Sequence, residues 1–289
     1  MKKTLLTLLL VLTLTLTACG GETVASAAES SAANSTTTIS EESTTVIETT
    51  PITADFDDDD FTTETSAATT SITLNGDTIS ATGEGVSVNG SIATITAAGT
   101  YEVSGTLNNG QIVVETDDAE NIVLLLSGVD IHNEQSAPIY VANAEKVIIT
   151  LADGTQNNIS DGASYTSLDE SGEPNAAIFS HDDLTINGTG ALNVNASYNN
   201  GIASKDDLKI TGGTINVTAV NDGIKGKDSV AIKDGVITIN AGADGIQSTN
   251  ADEAEKGFIA IEGGVLNIVS GLDGIQAETN LSVSGGDLT

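Results

Sequence analysis

Short alternations of apolar and polar residues run through the chain from about residue 71 onward. Val, Ile and Leu recur at every second position in short runs, and Gly, Asn and Asp separate one run from the next. A period of two broken by turn residues is typical of short β-strands, whose side chains point alternately to the two sides of a sheet. Helical periodicity is hard to find in this part of the chain, so we predict an all-β fold.

The strands themselves recur with a period. Gly-Ile pairs stand at residues 201–202, 223–224, 245–246 and 274–275, which are 22, 22 and 29 residues apart, and the last interval contains a polar insertion. After each pair come a second strand and a Gly-containing turn. In the first three repeats a third strand follows this turn. Three strands in about 22 residues predict one coil of a single-stranded, right-handed parallel β-helix, a solenoid. A β-sandwich also has short strands, but it does not predict this self-similarity.

The alternation assigns side chains to the inside of the coils, where each coil buries its residues only against its neighbours. Ser204, Gly226, Ser248 and Ala277 follow the first ladder by two positions and are small, as expected at a narrow corner. The chain ends inside a coil at "SGGDLT", so we expect the native chain to continue past Thr289. The predicted inward ladders are Ile202, Ile224, Ile246 and Ile275; Leu208, Val230 and Leu281; Ile210, Ile232, Ile261 and Val283; Ile215, Ile237 and Leu266; and Val217, Ile239 and Ile268.

The first 19 residues have a basic start, a Leu/Thr-rich apolar run and the ending "LTAC", which together indicate a secretory signal. This segment resembles a bacterial lipoprotein signal, and that resemblance implies that Cys19 is lipidated and becomes the new N-terminus. An ordinary signal peptide is the alternative. We therefore expect a protein held by a lipid on the extracellular face of a bacterial cell membrane. A transmembrane anchor fits less well, because the apolar run is short and interrupted by Thr.

Residues 20–70 are rich in Ser, Thr, Ala and Glu and contain few large apolar side chains. Such a composition buries too little surface to offset the entropy of ordering, so we interpret this segment as a disordered tether. The domain assignment is therefore a signal at 1–19, the tether at 20–70 and the β-helix at 71–289. The acidic cluster "DFDDDDF" at 55–61 lacks the Gly and spaced ligands of a calcium loop, and we interpret it as a solvated charge run.

The charge balance narrows the choice of partners. The chain has 41 acidic residues against 9 basic ones, all of them Lys, and a formal net charge of −32. Such a surface repels nucleic acid and anionic membranes and attracts cations, so no nucleic-acid partner is expected and the only expected membrane contact is through the lipid. The single Cys excludes an internal disulfide.

One aspartate position repeats with the coils. Asp222, Asp244 and Asp273 precede the Gly of three "DGI" copies, and Asn200 takes the same place one coil earlier. We expect a Gly-containing left-handed turn to put this column outside, at a corner of the coil. Carboxylates stacked ~5 Å apart would repel by about 3 kcal/mol per pair at an effective dielectric of ~20. The column must then be either solvated or neutralised by a cation.

Calcium fits this column, because one ion with oxygen ligands at ~2.3–2.6 Å can join carboxylates one coil apart. Asn200 and Asn221 would add amide oxygens. A second acidic row, Asp182, Asp206 and Asp228, has Asp183 and Asp207 beside it. The absence of clustered Cys or His argues against zinc or copper. The alternative is that Asp-Gly is simply a favourable turn and the column is solvated.

These coils resemble a known family of secreted bacterial lipoproteins with a calcium-binding parallel β-helix, which are named for a carbohydrate-binding domain. The resemblance covers about residues 71–289 and rests on "NDGIKGKD", "ADGIQS", "LDGIQA", "HDDLTINGTG", "KDDLKITGG" and "GTYEVSGTLNNGQIVV". It implies binding of plant-cell-wall polysaccharides such as cellulose and acidic pectin. It also implies calcium at Asp222, Asp244 and Asp273, with Asp206, Asp207 and Asp228 nearby.

The same family is similar in architecture to calcium-dependent pectate lyases, so a polysaccharide lyase is the main alternative. A lyase needs a base, and the basic candidates near the column are Lys225 and Lys227. Carboxylates around a lysine favour its ammonium form, and we interpret Lys225 as a charge partner of the column or a ligand contact. We therefore expect polysaccharide binding without catalysis. The outward row Asn193, Asn216, Thr238 and Asn267 is suited to hydrogen-bond a glycan, but it suits a protein-binding adhesin or a structural stalk equally well.

Overall fold

The computed structural model describes residue 52 and residues 54–63, 70–166, 168 and 172–289. The predictions for the signal sequence, for lipidation of Cys19 and for most of the tether lie outside these residues. In the described part the only helical element is one 3₁₀ turn, η1 (Asp58–Phe61), and no helix there is long and apolar enough to span a membrane.

The strands wind into a parallel β-solenoid of about seven turns with about 25 residues per turn, which confirms the predicted fold class. Successive coils stack their strands into three faces, A, B and C. Face A consists of β9 (Lys146–Leu151), β12 (Asp183–Gly188), β15 (Asp207–Ile210), β18 (Ser229–Ile232), β21 (Phe258–Ile261) and β24 (Leu281–Val283). Face B consists of β10 (Gln156–Asp161), β13 (Ala191–Ala196), β16 (Thr214–Ala219), β19 (Val236–Ala241), β22 (Val265–Ser270) and β25 (Asp287–Leu288).

Face C begins each coil and forms a separate nine-stranded sheet. Its strands are β3 (Val86–Asn89), β4 (Ile92–Ile95), β6 (Gln111–Glu115), β8 (Ile139–Asn143), β11 (Ala176–Ser180), β14 (Asn200–Ser204), β17 (Ile224–Gly226), β20 (Ile246–Ser248) and β23 (Ile275–Ala277). The order C, A, B then repeats along the chain.

The first coils differ from the later ones. Strands β5 (Gly99–Leu107) and β7 (Ile122–Asn133) run without interruption from face A into face B, so that β7 pairs first with β9 and then with β10. Gly105, where the register of β5 shifts, has φ +97° and would place a Cβ only 2.4 Å from the carbonyl oxygen of Leu74. Strand β1 (Thr70–Gly76) pairs with β5, and β2 (Ile79–Thr82) folds back on β1 in antiparallel fashion at the N-terminal end.

The predicted ladders hold in register. Ile202, Ile224, Ile246 and Ile275 pair in successive coils, and the first three are fully buried. The 22-residue period is correct from Ile202 to Ile246, and longer coils, such as the 29 residues from Ile246 to Ile275, raise the average. The ladder of Leu208 and Val230 also contains Ile259, which the sequence analysis missed.

The ladders become exposed in the last coil. Leu281 and Val283 pair in register with face A but remain 50% exposed each, because no further coil covers them in the structure. The inward positions of the earlier coils are close-packed, as expected for a solenoid whose stability is a sum over neighbouring coils.

The outer surfaces of faces A and B differ. Along face B, buried and exposed residues alternate strictly in β16 and β19, so its outer side chains face solvent. Along face A, every residue of β9 and β18 is buried, including the outward-pointing Ile148 and Ala231. Face B is therefore the open side of the solenoid, whereas face A is covered.

Candidate functional site

The aspartate column is the most regular polar feature of the solenoid. The main-chain N–H of Asp222 donates to Oδ1 of Asn200 over 3.2 Å, and the N–H of Asp244 donates to Oδ1 of Asp222 over 3.2 Å. The N–H of Asp273 donates in the same way to Asp244 over 2.9 Å. Residues one coil apart are thus direct neighbours, which confirms the geometric basis of the predicted column.

The second carboxylate oxygens of the column have partners within their own coils. Lys225 Nζ lies 3.1 Å from Oδ2 of Asp222 and also donates to Gln247, whose own amide donates to Oδ2 of Asp244 over 2.6 Å. Asn221 donates to Oδ1 of Asn200 over 2.9 Å. The interpretation of Lys225 as a charge partner of the column is confirmed.

The predicted exposure of the column is wrong for most of its members. Asn200, Asp222 and Asp244 are 2%, 3% and 6% exposed, and only Asp273 faces solvent. Buried polar groups need partners, and the N–H ladder supplies them. The column is therefore part of the hydrogen-bonded framework of the coils rather than a solvated corner.

The glycines after Asn200, Asp222 and Asp244 are required for close packing and not, as expected, for a left-handed turn. Gly223 does not have a positive φ, so no left-handed turn occurs there. A Cβ at Gly223 would instead lie 2.4 Å from Cγ2 of Ile239 and 2.7 Å from the carbonyl oxygen of Gly245. Gly201 and Gly245 are crowded in the same way by Val217 and Ile268. Close packing of the coil corner, not backbone handedness, demands glycine at these positions.

The second acidic row lies at the corner between faces C and A. The N–H of Asp228 donates to the carbonyl oxygen of Asp206 over 3.2 Å, and the N–H of Asp207 donates to Oδ1 of Asp183 over 3.2 Å. Asp182 accepts from the N–H of Ala144 over 2.9 Å. Direct bonds therefore join Asp228 to Asp206 and Asp207 to Asp183, whereas the carboxylate of Asp182 is bound to the preceding coil.

Like-charge repulsion is visible in this row. Burial, a hydrogen bond shared with Asp228 and the charge of Asp183 raise the pKa of Asp206 to about 7. Burial also opposes ionisation of Asp228, but its hydrogen bonds with Asp206, Lys256 and Asn250 outweigh burial and lower its pKa. Asp206 and Asp228 therefore share one proton near neutral pH, as closely spaced carboxylates do.

The oxygen donors of both rows match the preference of calcium. As placed, however, no three His, Cys, Asp or Glu side chains in the described residues converge to hold a metal ion. In the column, Asp222 and Asp244 are already engaged by N–H groups, Lys225 and Gln247. Asp228 is paired with Lys256 over 2.6 Å, and the raised pKa of Asp206 marks the place in the second row where burial and neighbouring carboxylates oppose ionisation.

The predicted glycan row lies on open face B. Asn193, Asn216, Thr238 and Asn267 pair in register, and the row begins one coil earlier with Asn158, which the sequence analysis missed. Asn216 donates to Asn193, and Asn193 donates to Asn158, each over 3.0 Å. The row is a flat, hydrogen-bonded strip of amides and one hydroxyl at the coil spacing.

A second feature that the sequence analysis missed is an aromatic patch outside face C. Tyr140 and Phe179 pair in register although they are 39 residues apart, and their ring centroids lie 6.1 Å apart. Tyr165 and Tyr198 stack at 4.0 Å nearby in the same patch. The long interval between coils hid this relationship from the sequence period. A pocket of about 210 Å³ beside Phe179 is lined by Lys205, Lys225 and Lys227, among others.

The interpretation of segment 55–61 as a solvated charge run is wrong for Asp60, although the other four aspartates are exposed. Asp60 is fully buried, and its carboxylate lies 2.5 Å from Nζ of Lys146 and 3.3 Å from Nζ of Lys209. Thr185 donates to the same carboxylate over 2.6 Å. We call residues 54–63 the strap, because they lie against the outer surface of face A. The strap belongs to the segment interpreted as tether, and no local sequence signal indicates its docking.

Comparisons with known proteins agree with this architecture. The family of carbohydrate-binding domain-containing proteins matches residues 89–289. A protein of that name from Acetivibrio thermocellus is 50% identical over 137 residues, which are 47% of this chain and 48% of the relative. The chain thus spans about half the length of this curated relative.

A solved structure, the polysaccharide lyase-like protein from C. thermocellum in a gadolinium derivative, is also similar. It is 41% identical with a TM-score of 0.71, and the match covers 75% of this chain and 99% of that chain. Since the family match at residues 89–289 covers well over half of the sequence, the chain belongs to the family of carbohydrate-binding domain-containing proteins.

Proposed function

We propose that the protein binds a polysaccharide on open face B and does not cleave it. The observation that carries this proposal is an outward-facing row that offers one polar side chain per coil: the half-buried Asn158 and Asn193 and the exposed Asn216, Thr238 and Asn267. A linear glycan offers hydroxyl groups along its length, and amides both donate and accept hydrogen bonds. Plant-cell-wall polysaccharides are the ligands that we expect.

The absence of catalysis is supported by the state of the basic groups. Lys225 is held by Asp222 and Gln247, so it is not free to take a proton. The chain also contains no Arg to bind a uronate carboxylate bidentately. A lyase remains the second candidate, because the similar solved structure is described as polysaccharide lyase-like. Ultraviolet absorbance of unsaturated uronate products, measured with polygalacturonate, tests this alternative directly.

Calcium belongs to the proposal as a structural ion. The row Asp182, Asp206 and Asp228, with Asp183 and Asp207, supplies oxygen ligands, and the carboxylates around Asp206 oppose its ionisation. The similar structure is a gadolinium derivative, and a lanthanide is likewise a hard cation with oxygen ligands. Calcium bound there would displace the proton shared by Asp206 and Asp228. We further propose that lipidated Cys19 holds the protein at the extracellular face of the cell membrane.

A glycan array probed with the full chain, with calcium and with EDTA, tests this function. We expect signals on cellulose- or pectin-type glycans, weaker in EDTA if calcium stabilises the coils. The double variant Asn216→Ala/Thr238→Ala should lose the signal. The control variant Asn89→Ala, which removes an exposed amide from face C, should retain it. No glycan signal in any arm would contradict the proposal and favour a protein-binding adhesin or a structural stalk.

A further inference from the structure

The covered face A suggests a second binding surface, which goes beyond polysaccharide binding on face B. Strap residues contact face A through both their side chains and their main chain. Lys146, itself 6% exposed, binds two strap carboxylates at once, with Nζ 2.8 Å from Asp57 and 2.5 Å from Asp60. In a chain with 9 lysines and 41 acidic residues, two nearly buried lysines at one place form an unusual cationic surface.

Contacts to the strap main chain show that face A recognises a peptide and not only negative charge. Asn187 donates to the carbonyl oxygens of Asp60 and Thr62 over 3.2 and 3.1 Å. Thr211 donates to the carbonyl oxygen of Asp60 over 2.6 Å, and Lys209 donates to that of Asp55 over 2.7 Å. Asn187 and Lys209 stand on the neighbouring strands β12 and β15, and Thr211 directly follows β15, so the β-ladder fixes the positions of these donors.

The strap brings its own compact shape to this surface. Asp57 caps η1, since its carboxylate accepts from the N–H groups of Asp59 and Asp60, and the N–H of Asp57 donates to the carboxylate of Asp60. The rings of Phe56 and Phe61 lie 5.7 Å apart, and Lys233 lies over Phe56 at 5.8 Å. The segment thus has the features of a short folded peptide ligand.

The strap is also separable from the solenoid framework. All of the hydrogen bonds above that it accepts from face A come from solenoid side chains, and none replaces a rung of the β-ladder. Six residues, 64–69, lie between the strap and β1. Segments that are joined to a domain by a short connection are elements that proteins can exchange between copies.

We propose that the outer surface of face A is a binding groove for an acidic peptide segment and that a second copy of this chain can supply the segment. The groove residues are Lys146, Thr185, Asn187, Lys209 and Thr211. Every copy carries both the groove and its ligand, so copies held close together would link through reciprocal strap exchange. The effective concentration set by the short connection favours the internal strap in dilute solution.

Complementation of two full-length variants tests the exchange. Lys146→Gln/Lys209→Gln damages the groove but keeps the strap, and Asp57→Asn/Asp60→Asn damages the strap but keeps the groove. We expect each variant to sediment as a monomer and their mixture to form a heterodimer. As a matched control, Asp55→Asn/Asp58→Asn removes the same charge from the same segment without removing a carboxylate that contacts Lys146 or Lys209, and its mixture with the groove variant should stay monomeric.

A peptide titration provides an independent readout. The peptide ITADFDDDDFTT should bind the Asp57→Asn/Asp60→Asn protein at least tenfold more tightly than ITADFNDDNFTT does, whereas ITANFDNDDFTT should bind like the parent. Circular dichroism melts must first show that the variants are folded, and single replacements of Asp60 and Lys146 substitute for any double variant that is not. With folded variants, equal affinity of all three peptides or the absence of a heterodimer would overturn the proposal.

Discussion

The N–H of Asp244 donates to the side-chain oxygen of Asp222, one coil earlier, over 3.2 Å. The same bond links Asp222 to Asn200, so an amide oxygen serves as well as a carboxylate in this ladder. The coil framework therefore depends on a hydrogen-bond acceptor at this position and not on a negative charge. Both partners are buried, and a lost acceptor would leave an N–H without a partner.

The loss of stability on replacing Asp222 should depend on whether the new side chain keeps an acceptor oxygen. Asp222→Ala is expected to cost about 1–3 kcal/mol, because it removes the partner of the Asp244 N–H. Asp222→Asn keeps an oxygen in the same place and should cost under about 1 kcal/mol. Denaturant unfolding in EDTA measures both. Equal losses for the two variants would mean that charge, and not the ladder, determines stability at this position.

Gly223 and Gly274 occupy equivalent positions in different surroundings. Gly223→Ala should destabilise by about 1–3 kcal/mol, since its Cβ would meet Ile239 at 2.4 Å. Gly274→Ala should change stability little, because nothing lies within 4 Å of a Cβ there. Thermal melts of the two variants make the comparison, and a similar effect at both sites would contradict the close-packing explanation.

Asp206 should make stability depend on pH. Its pKa is raised to about 7 in the folded protein, against an ordinary value of ~3.9 in the unfolded chain. Between about pH 4 and pH 7 the folded state therefore holds a proton that the unfolded state has lost, and stability falls as pH rises through this window.

Because solvent screens this partly exposed carboxylate and reduces the effect to about 1 kcal/mol, we expect Tm in EDTA to fall by about 2–4 °C from pH 5 to pH 8. Asp206→Asn should remove most of that fall. Added calcium should also reduce it at pH 8, since an ion would replace the shared proton. A Tm that rises with pH in EDTA would show that the pair does not control this dependence.

Asp60 should control the docking of the strap. Burial alone would raise the pKa of Asp60, but hydrogen bonds from Lys146 and Thr185 outweigh burial and lower it. The bound strap is therefore stabilised above about pH 4 and loses this contribution as pH falls below that value. Asp60→Ala removes the buried carboxylate that pairs with both Lys146 and Lys209, and leaves them only Asp57 and the carbonyl oxygen of Asp55. Loss of a partner from buried charges costs several kcal/mol if they stay buried, so we expect the strap to detach instead.

Limited proteolysis at neutral pH measures this detachment. Cleavage between residues 54 and 63 should be more than tenfold faster in Asp60→Ala than in the parent protein. Asp58→Ala, in the same turn but without a solenoid partner among the described hydrogen bonds, should behave like the parent. Unchanged cleavage in both variants would contradict the assignment of Asp60 as the anchoring residue.

Local periodicity explains why so much of the solenoid could be predicted. Inward residues such as Ile224 and Ile246 recur at a fixed interval, and residues at a fixed interval in a solenoid are spatial neighbours. The same reasoning placed Asp222 beside Asp244 and Asn216 beside Thr238. Each of these relationships joins two adjacent coils of equal length.

Contacts between residues that are not one repeat apart could not be predicted. Asp57 and Lys146 are 89 residues apart, and no repeat connects them. The burial of Asp222 depends on how neighbouring side chains cover the corner, which alternation within a strand does not specify. Glycine at 223 fits both a turn and a tight contact, and the sequence alone does not distinguish the two.

The central claim is that the polar row of face B binds glycan. Depletion of the soluble protein by an insoluble cell-wall polysaccharide, measured as a binding isotherm, tests it most directly. We expect Asn216→Ala/Thr238→Ala to weaken binding by about tenfold or more, since each lost hydrogen bond contributes ~0.5–1.5 kcal/mol, while Asn89→Ala binds like the parent. Unchanged binding by a folded face B variant would contradict the claim.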